Sequence, residues 1–483
     1  MASIKTNVFY SGVLTAANYF FPLITYPYVN RVLGVTNIGM CNFVDSIISY
    51  YLLFSMMGMS TMGIREIAKA KEKGQSELSK TFSGLMLING VSTAIAIFVL
   101  VIVIFIVPKF ADYKELLVIG IFKVLFNYLM IEWFYRGLEN FKYITNRSIL
   151  VRIIYVILIF VFVRTRDDYV VYYALTVLTI VINATINIVY SRNFVKFSYS
   201  QLTIRPFVKP FLILGVYGLL TSMYTTFNSA YLGFVTNDTE VGYYTTATRL
   251  HVFILALFTA FTSVMMPRMS SLASQGSYDA YFNLCSKSLK VLFTFAFPVM
   301  VYSFNFSDDI IYVLAGTGFE KSADCFRMII PNILIVGLEQ IFITQVLLTL
   351  SKDKAVLVNS IVGAIVGVLF NILLVSQFLS MGTSFVWVLS ELTVLGSSLC
   401  FIQKYNSKLL VPLKGIMKEI LYALPVFICL MGLASINTNM VLRLLLGLLV
   451  LSVYYFVIYT FIDKNPLAQF VYVRAMNIVK RGN

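Results

Sequence analysis

The sequence predicts an all-α integral membrane protein with about fourteen transmembrane helices. Three observations support this prediction: a very apolar composition, long apolar stretches joined by short loops, and loops that alternate between rich and poor in Lys and Arg. The chain is 59% hydrophobic and only 12% charged, with a mean hydropathy of +0.85. A soluble domain cannot bury that much apolar surface, whereas lipid can solvate it.

The apolar stretches are long enough to cross a bilayer, which takes roughly 20 residues at about 1.5 Å each. The first stretch is not a signal peptide, because it is too long and contains two prolines. The predicted spans are residues 8–30, 39–62, 82–107, 116–134, 148–163, 169–190, 210–236, 242–266, 288–306, 325–350, 354–377, 381–402, 415–435 and 440–462.

The loops between these spans predict the orientation. Loops on the side of the N-terminus hold 25 Lys and Arg residues, and those on the opposite side hold 6. By the positive-inside rule both termini are cytoplasmic. The net charge of +15 is therefore mainly a topology signal with some attraction to anionic lipid. We expect the bilayer, and no nucleic acid, as a partner.

The cysteines and the histidine give no sign of a metal or redox site. Five cysteines are scattered, odd in number and mostly within spans, which is typical of small apolar core residues. There is one His, with no acidic residue close to it in sequence, and no glycine-rich phosphate loop. We expect no cofactor, no metal and no enzymatic activity.

The second half of the sequence repeats the first. From Gly39 to Arg65 is 26 residues, as it is from Gly242 to Arg268. Repeats separated by an even number of spans share one orientation and are related by an axis along the membrane normal. The sequence therefore predicts two six-helix lobes related by a pseudo-two-fold axis. The predicted divisions are an N-lobe at 1–209, a C-lobe at 210–404, and a last helix pair with a cytoplasmic tail at 405–483.

Two segments carry a resemblance to a known family. They are PLITYPYVNRVLGVTNIGMCNFVDSIISYYLLFSMMGMSTMGIREIA (22–68) and VGYYTTATRLHVFILALFTAFTSVMMPRMSSLAS (241–274). Both resemble Wzx-type polysaccharide flippases of the multidrug/oligosaccharidyl-lipid/polysaccharide exporter superfamily, and the resemblance in span order covers the whole chain. It implies transport of a polyprenyl-diphosphate-linked oligosaccharide from the cytoplasmic to the outer leaflet of a bacterial inner membrane. It also implies a lipid-linked glycan substrate, with a glycan polymerase of the same pathway as a candidate partner.

Charged residues inside the spans fall into two groups by depth. Those near span ends are explained by snorkelling, in which a long side chain reaches the headgroups; they are Glu132, Arg152, Lys290, Arg327 and Arg443. A charge at the centre of a span costs about 2.5–3.5 kcal/mol on insertion scales, so deeper charges indicate function or pairing.

The deeper basic residues are candidates for binding a diphosphate. Arg249 and His251 lie two turns into the eighth span, and Lys123 lies at a similar depth in the fourth; Arg31 is a further candidate on the outer side. Guanidinium matches phosphate oxygens especially well. Asp45 aligns through the repeat with Thr248, the residue next to Arg249. These positions fit either a cavity site or an ion pair between lobes that holds an outer gate shut.

Two carboxylates and two prolines complete the candidate residues. Glu339 and Glu391 lie near the middle of the tenth and twelfth spans, where carboxylates suit coupling to H⁺ or Na⁺; the alternative is pairing for packing. Pro22 and Pro27 should kink or break the first helix and so contribute to a gate, or they are tolerated for packing.

The leading function is therefore an exporting flippase working by alternating access, driven by membrane potential, ion coupling or both. A drug/cation antiporter is the alternative within transport, although it would need an acidic cavity. A membrane glycan polymerase or ligase is the alternative among enzymes, but these usually carry a large extracytoplasmic loop. A structural scaffold would not explain the repeat.

Overall fold

A computed structural model of the chain describes residues 4–197, 204–223, 225–406, 408–410, 415–463 and 469. Every regular element within these residues is a helix, which confirms the predicted all-α class. The helices are α1 (Ile4–Met56), α2 (Met59–Glu72), α3 (Gln75–Ile106), α4 (Lys114–Leu129), α5 (Glu132–Gly137), α6 (Phe141–Phe162), α7 (Tyr169–Ser191), α8 (Arg205–Ser222), α9 (Thr226–Val235), α10 (Asp238–Ser274), α11 (Tyr278–Asn305), α12 (Ser307–Ala315), α13 (Glu320–Ile329), α14 (Asn332–Glu339), α15 (Asp353–Asn406), α16 (Gly415–Ala434) and α17 (Met440–Val457), with short 3₁₀ turns at Pro108–Tyr113 and Arg166–Asp168 and π-helical segments at Gln340–Leu347 and Ile458–Ile462.

The two longest helices each contain a break. A straight helix of 53 residues, the length of α1, would measure about 80 Å, more than twice the thickness of the hydrocarbon core. Its backbone leaves the helical region at Gly34 (φ 75°, ψ 170°), and that of α15 does so at Leu379 (φ 54°, ψ −133°). Each helix therefore covers two predicted spans. Pro22 and Pro27 lie inside α1, which remains helical through both, so the break is not at the prolines.

The chain is a multi-pass membrane protein. In its described part, ten helices are long and apolar enough to cross a membrane, or twelve when each of two bent pairs is taken as one span. The two bent pairs are Arg205–Ser222 with Thr226–Val235, and Glu320–Ile329 with Asn332–Leu347. The exact number of fourteen stays a prediction.

The packing of the chain defines two compact units. Unit 1 comprises Met1–Ala247, Leu314–Ser322 and Ser360–Ser390, and unit 2 comprises Thr248–Val313, Ala323–Asn359 and Glu391–Asn483. The units interleave along the chain, so the predicted boundaries at residues 209 and 404 stay predictions. We call the helix ends that carry the Lys- and Arg-rich loops the basic end, and the opposite ends the bare end.

Unit 1 has an aromatic core at its basic end, where the short helices α2 and α5 pack together. Gly63 of α2 lies so close to Trp133 of α5 that a Cβ would come within 2.8 Å of the indole ring. Phe82 of α3 packs beside this indole, with ring centroids 5.8 Å apart. This close packing fixes the turn between α4 and α6.

Unit 2 holds the last helix pair against α11. Tyr302 of α11 donates a hydrogen bond to the carbonyl of Leu444 in α17 (2.9 Å). At the bare end, Arg443 forms an ion pair with Asp309 of α12, and the Nε atom of Arg443 lies 2.8 Å from the carboxylate. The side chain of Asp309 is only 8% exposed. Snorkelling is therefore the wrong explanation for Arg443, because its guanidinium is held by an acid within the protein.

Candidate functional site

The start of α10 crosses α1 through residues that the sequence repeat makes equivalent. The Oγ1 atoms of Thr36 and Thr239 are 2.9 Å apart, and Asn42 Nδ2 donates to Thr245 Oγ1 at 2.9 Å. Both pairs are separated by 203 residues, the offset that relates Gly39 to Gly242. Residues that contact their own counterparts lie on a two-fold axis. The pseudo-symmetry axis therefore passes through this crossing in unit 1.

The two equivalent glycines allow the close approach of the backbones. A Cβ at Gly39 would lie 1.7 Å from the carbonyl oxygen of Asp238, and a Cβ at Gly242 would lie 2.3 Å from that of Val35. These contacts are reciprocal, because Asp238 is the counterpart of Val35. Small residues at helix crossings let membrane helices approach closely without a hydrophobic driving force. Gly39 and Gly242 are therefore required by packing on both sides of the axis.

Several further contacts hold the bare end of unit 1 together, and we call them the bare-end cap. Tyr113 donates to Asp238 Oδ1 at 2.8 Å, which links the turn before α4 to the start of α10. Lys109 Nζ donates hydrogen bonds to the backbone carbonyls at the C-terminus of α9, where the helix dipole favours a cation. Asn37 donates to the carbonyl of Arg166 at 2.6 Å. The first four bare-end turns are thereby connected.

Glu240 extends the cap to the break in α15. Its carboxylate is buried and accepts from the backbone N–H (3.2 Å) and the hydroxyl (2.5 Å) of Ser380, directly after Leu379. Lys321 Nζ lies 3.8 Å from the same carboxylate. Sequence reasoning missed Glu240 because it lies in a predicted loop, where a charge needs no explanation.

Arg31 lies at this same end of unit 1. Its side chain is exposed, and its aliphatic stem packs against the backbone turn at Gly316, where a Cβ would come within 2.8 Å of Arg31 Cγ. The turn adopts φ 87°, in the left-handed region that favours glycine.

Below the crossing, Asp45 and Lys123 form an ion pair between α1 and α4. Tyr173 of α7 donates to the same oxygen, Asp45 Oδ1, at 3.4 Å. The side chains are partly accessible, with 38% of Asp45 and 15% of Lys123 exposed. Asp45 follows Asn42 by three residues, so both lie on one face of the helix. The structure thus joins a predicted gating acid to a predicted phosphate-binding base in one cluster of unit 1.

Arg249 and His251 lie in unit 2. Arg249 is partly exposed, whereas His251 is 1% exposed and lies within hydrogen-bonding reach of the backbone of Asn332 in α14. Side chains two residues apart on a helix point in different directions, so Arg249 can be partly exposed while His251 is buried.

Glu339 and Glu391 meet inside unit 2. Both are buried, at 8% and 5% exposure, and their carboxyl groups lie within hydrogen-bonding reach of each other. Glu339 is the last residue of α14, and the helix then widens into the π-helical segment Gln340–Leu347. Segments of this kind occur often at functional sites.

A partly buried acid at the basic end of unit 1, Glu132, has partners that the sequence did not predict. Glu132 accepts from Arg147 Nη2 at 2.8 Å, and Arg136 lies 3.6 Å away. Arg152 donates to Asn18 Oδ1 at 2.5 Å. The side chains of Glu132 and Arg152 therefore have partners within the protein, which the snorkelling interpretation did not include. The network was missed because Arg147 was placed in a loop, whereas α6 begins six residues earlier, at Phe141.

Comparison with known proteins adds a family and a fold. The family described as "Polysaccharide biosynthesis protein" matches residues 4–273. A protein of Escherichia coli (strain K12) is 24% identical over 412 residues, covering 85% of this chain and 98% of its own length. A protein of Shigella dysenteriae is 23% identical over 279 residues, covering 56% and 68%. Both carry the name "Putative O-antigen transporter".

Solved structures show the same fold at low sequence identity. The lipid II flippase MurJ in an inward closed conformation aligns with a TM-score of 0.75 and 16% identity, covering 94% of this chain and 99% of its own. An inward-facing multidrug resistance transporter of the MATE family aligns with a TM-score of 0.58 and 14% identity, covering 82% and 96%. The chain therefore has the fold of these two solved structures.

Proposed function

This chain belongs to the polysaccharide biosynthesis protein family, and from that premise we propose that it is a flippase for a lipid-linked oligosaccharide. The cargo is a polyprenyl-diphosphate-linked glycan, and it moves from the cytoplasmic to the outer leaflet of a bacterial inner membrane. The names of the two relatives and the fold shared with a lipid II flippase support this proposal. The Lys- and Arg-rich loops support a cytoplasmic basic end.

The crossing of α1 and α10 is the observation that carries the mechanism. Alternating access requires a contact that closes one side of the protein and then parts. The crossing has that character, because it joins the two repeats through a few hydroxyl and amide contacts and two glycines. The crossing, together with the bare-end cap, is the proposed outer gate in its closed state.

Lys123 and Arg31 are the proposed ligands of the diphosphate in unit 1, and Arg249 is proposed separately as a phosphate-binding residue of unit 2. Lys123 already binds a carboxylate, that of Asp45. Phosphate oxygens offer the same kind of anionic acceptor, so the cargo competes with Asp45 for this ammonium group. His251 is buried beside Asn332, and its proposed part is to support the helix that carries Arg249.

Two sources of energy are available to this transport. Outward movement of an anion across an inside-negative membrane is favourable by about 2.3 kcal/mol per charge per 100 mV. The Glu339–Glu391 pair is the proposed site for a coupled cation, H⁺ or Na⁺.

Complementation of a strain that lacks its own flippase tests the function. We expect the wild-type gene to restore export of the lipid-linked glycan and Arg249→Ala to abolish it at equal protein level. The double variant Thr36→Cys/Thr239→Cys tests the gate, because oxidation should lock the closed state and a reductant should restore export. Each single Cys variant controls for the five native cysteines. Export that continues in the oxidised double variant contradicts the proposed gate.

A drug/cation antiporter is the second candidate, and the fold shared with MATE transporters is the observation that favours it. It predicts that expression raises resistance to cationic dyes and leaves glycan export unchanged. Growth on such dyes, measured in the same strains, separates the two functions.

A further inference from the structure

Unit 2 contains buried polar atoms whose hydrogen-bonding needs its described side chains do not meet. Asn332 and Gln345 are 0% exposed, and neither polar atom of either side chain has a hydrogen-bond partner among the described residues. Within the same part of the chain, one carboxyl oxygen of Glu339 and the amide oxygen of Gln340 are also without partners. Buried polar groups in proteins are almost always hydrogen-bonded, above all at membrane depth. All four residues lie on α14 and its π-helical continuation.

Helix α10 lines one side of these residues. His251 lies beside Asn332, and Thr259 Oγ1 accepts from Gln340 Nε2 at 2.9 Å. Both pairs are 81 residues apart, so α10 runs parallel to α14 in a constant register. Thr262 lies one turn beyond Thr259, is 3% exposed, and has a hydroxyl without a partner in the described chain. Thr262 therefore extends this row of buried polar groups towards the basic end.

Helix α11 lines another side and runs antiparallel to α14. Tyr281 donates to the carbonyl of Gln345 at 3.2 Å, and Leu292 packs on Gly337, where a Cβ would meet it at 2.4 Å. Ser288 lies between these two levels on α11 and is fully buried. Its hydroxyl is likewise without a partner among the residues described. By this register it lies level with the end of α14.

The series of polar atoms connects the carboxyl pair to the basic end. From Asn332 to Gln345 the helix rises on the order of 20 Å, against a hydrocarbon core of about 30 Å. Glu339 lies within this length, and Gln345 lies near the end of the π-helical segment, towards Leu350. Buried water typically makes about three hydrogen bonds to polar groups that have no other partner. The side chains along this series are partners of that kind.

We propose that α10, α11 and α14 with its π-helical continuation enclose a file of water molecules that carries protons between the Glu339–Glu391 pair and the basic end. This proposal deepens the ion coupling of the proposed flippase and rests on it for its physiological role. The proton is the proposed cation because two carboxyl groups within hydrogen-bonding reach of each other can share one. The other titratable groups along the file are His251 on α10 and Tyr281 and Cys285 on α11.

Labelling with a hydrophobic carbodiimide tests the file, because this reagent reacts with protonated carboxyl groups in membranes. Purified full-length protein is placed in vesicles whose inner and outer pH are set separately, and labelled Glu339 and Glu391 are quantified by mass spectrometry. We expect labelling to rise when the pH is lowered on the basic-end side and not when it is lowered on the bare-end side. Gln345→Leu should abolish this response.

An equally buried amide of the same unit provides the matched control. Asn359 is 1% exposed, but both of its polar atoms are bonded, to Ser398 (2.7 Å) and Ser397 (2.6 Å). We expect Asn359→Leu to lower the Tm and leave the sided labelling intact in the protein that remains folded. Gln345→Leu should lower the Tm less than Asn359→Leu does, because the Gln345 side chain forms no hydrogen bond to another described residue. A second variant on the opposite wall, Ser288→Val, should also abolish the sided response.

The opposite results overturn the proposal. Labelling that follows the bare-end pH, or sided labelling that persists in both Gln345→Leu and Ser288→Val, excludes a proton path along this file. A fall in Tm for Gln345→Leu as large as that for Asn359→Leu indicates a structural amide instead. The labelling needs no glycan, so a failure here is distinguishable from a failure of the flippase function in the complementation assay.

Discussion

Adding one methyl group at Gly39 should open the crossing between α1 and α10. The new Cβ would lie 1.7 Å from a backbone carbonyl of α10, about half the distance of an ordinary contact, and backbone atoms cannot rotate away. The helices must separate by more than 1 Å, on the order of a bond length. The separation should break the Thr36–Thr239, Asn42–Thr245 and Tyr26–Thr246 hydrogen bonds.

The size of the effect follows from those three bonds. Interhelical hydrogen bonds in membranes are worth about 0.6 kcal/mol each and at most about 1.7. Losing three of them costs the closed state about 2–5 kcal/mol, which lowers its population relative to an open state roughly 30- to 5000-fold. Gly12→Ala on the same helix is the control, because a Cβ there meets nothing within 4 Å.

Disulfide formation between Cys residues at positions 36 and 239 measures the closed population. We expect Gly39→Ala to slow crosslinking strongly and to impair export, and we expect Gly12→Ala to behave as the parent. Normal crosslinking and normal export in Gly39→Ala, at equal protein level, would refute the close approach on which this reasoning depends.

Two further predictions concern ion pairs. Lys123→Ala should lower the Tm more than the double variant Asp45→Ala/Lys123→Ala does, because the single change leaves a partly buried carboxylate unpaired; a Tm for the double variant below both singles would contradict this. Arg443→Ala should destabilise unit 2 by about 3–5 kcal/mol, because Asp309 is almost fully buried and loses its counter-charge. Adding Asp309→Asn to Arg443→Ala should recover part of the loss, as measured by thermal unfolding in detergent.

The helices that carry the charged residues could be predicted from the sequence, but the partners of those residues could not. Hydropathy placed Asp45 and Lys123 inside predicted spans, and both lie on helices long and apolar enough to cross a membrane. The position of a residue along a span does not give the direction in which its side chain points around the helix. The repeat therefore suggested that Asp45 and Arg249 occupy related positions, whereas in the structure Asp45 forms an ion pair with Lys123 of the same unit.

Helix ends were the other source of error. The first turns of α6 are polar, so hydropathy started the fifth span at residue 148 and left Arg147 in a loop. In the structure that arginine is 6% exposed and holds Glu132. Polar residues that form hydrogen bonds with each other inside a helix bundle cannot be distinguished by sequence from polar residues that face water. The repeat offset of 203, by contrast, was readable from two glycines, because close backbone packing tolerates no other residue.

The crossing at Gly39 and Gly242 has the symmetry of a homodimer. Two copies of a six-helix ancestor, side by side in one orientation, would bring each residue on the axis against its own twin. Only groups that both donate and accept can pair with themselves there, and the facing hydroxyls of Thr36 and Thr239 do so. A carboxylate on the axis would have met an identical charge. A single chain has no such restriction, and position 45 is Asp while its counterpart, position 248, is Thr.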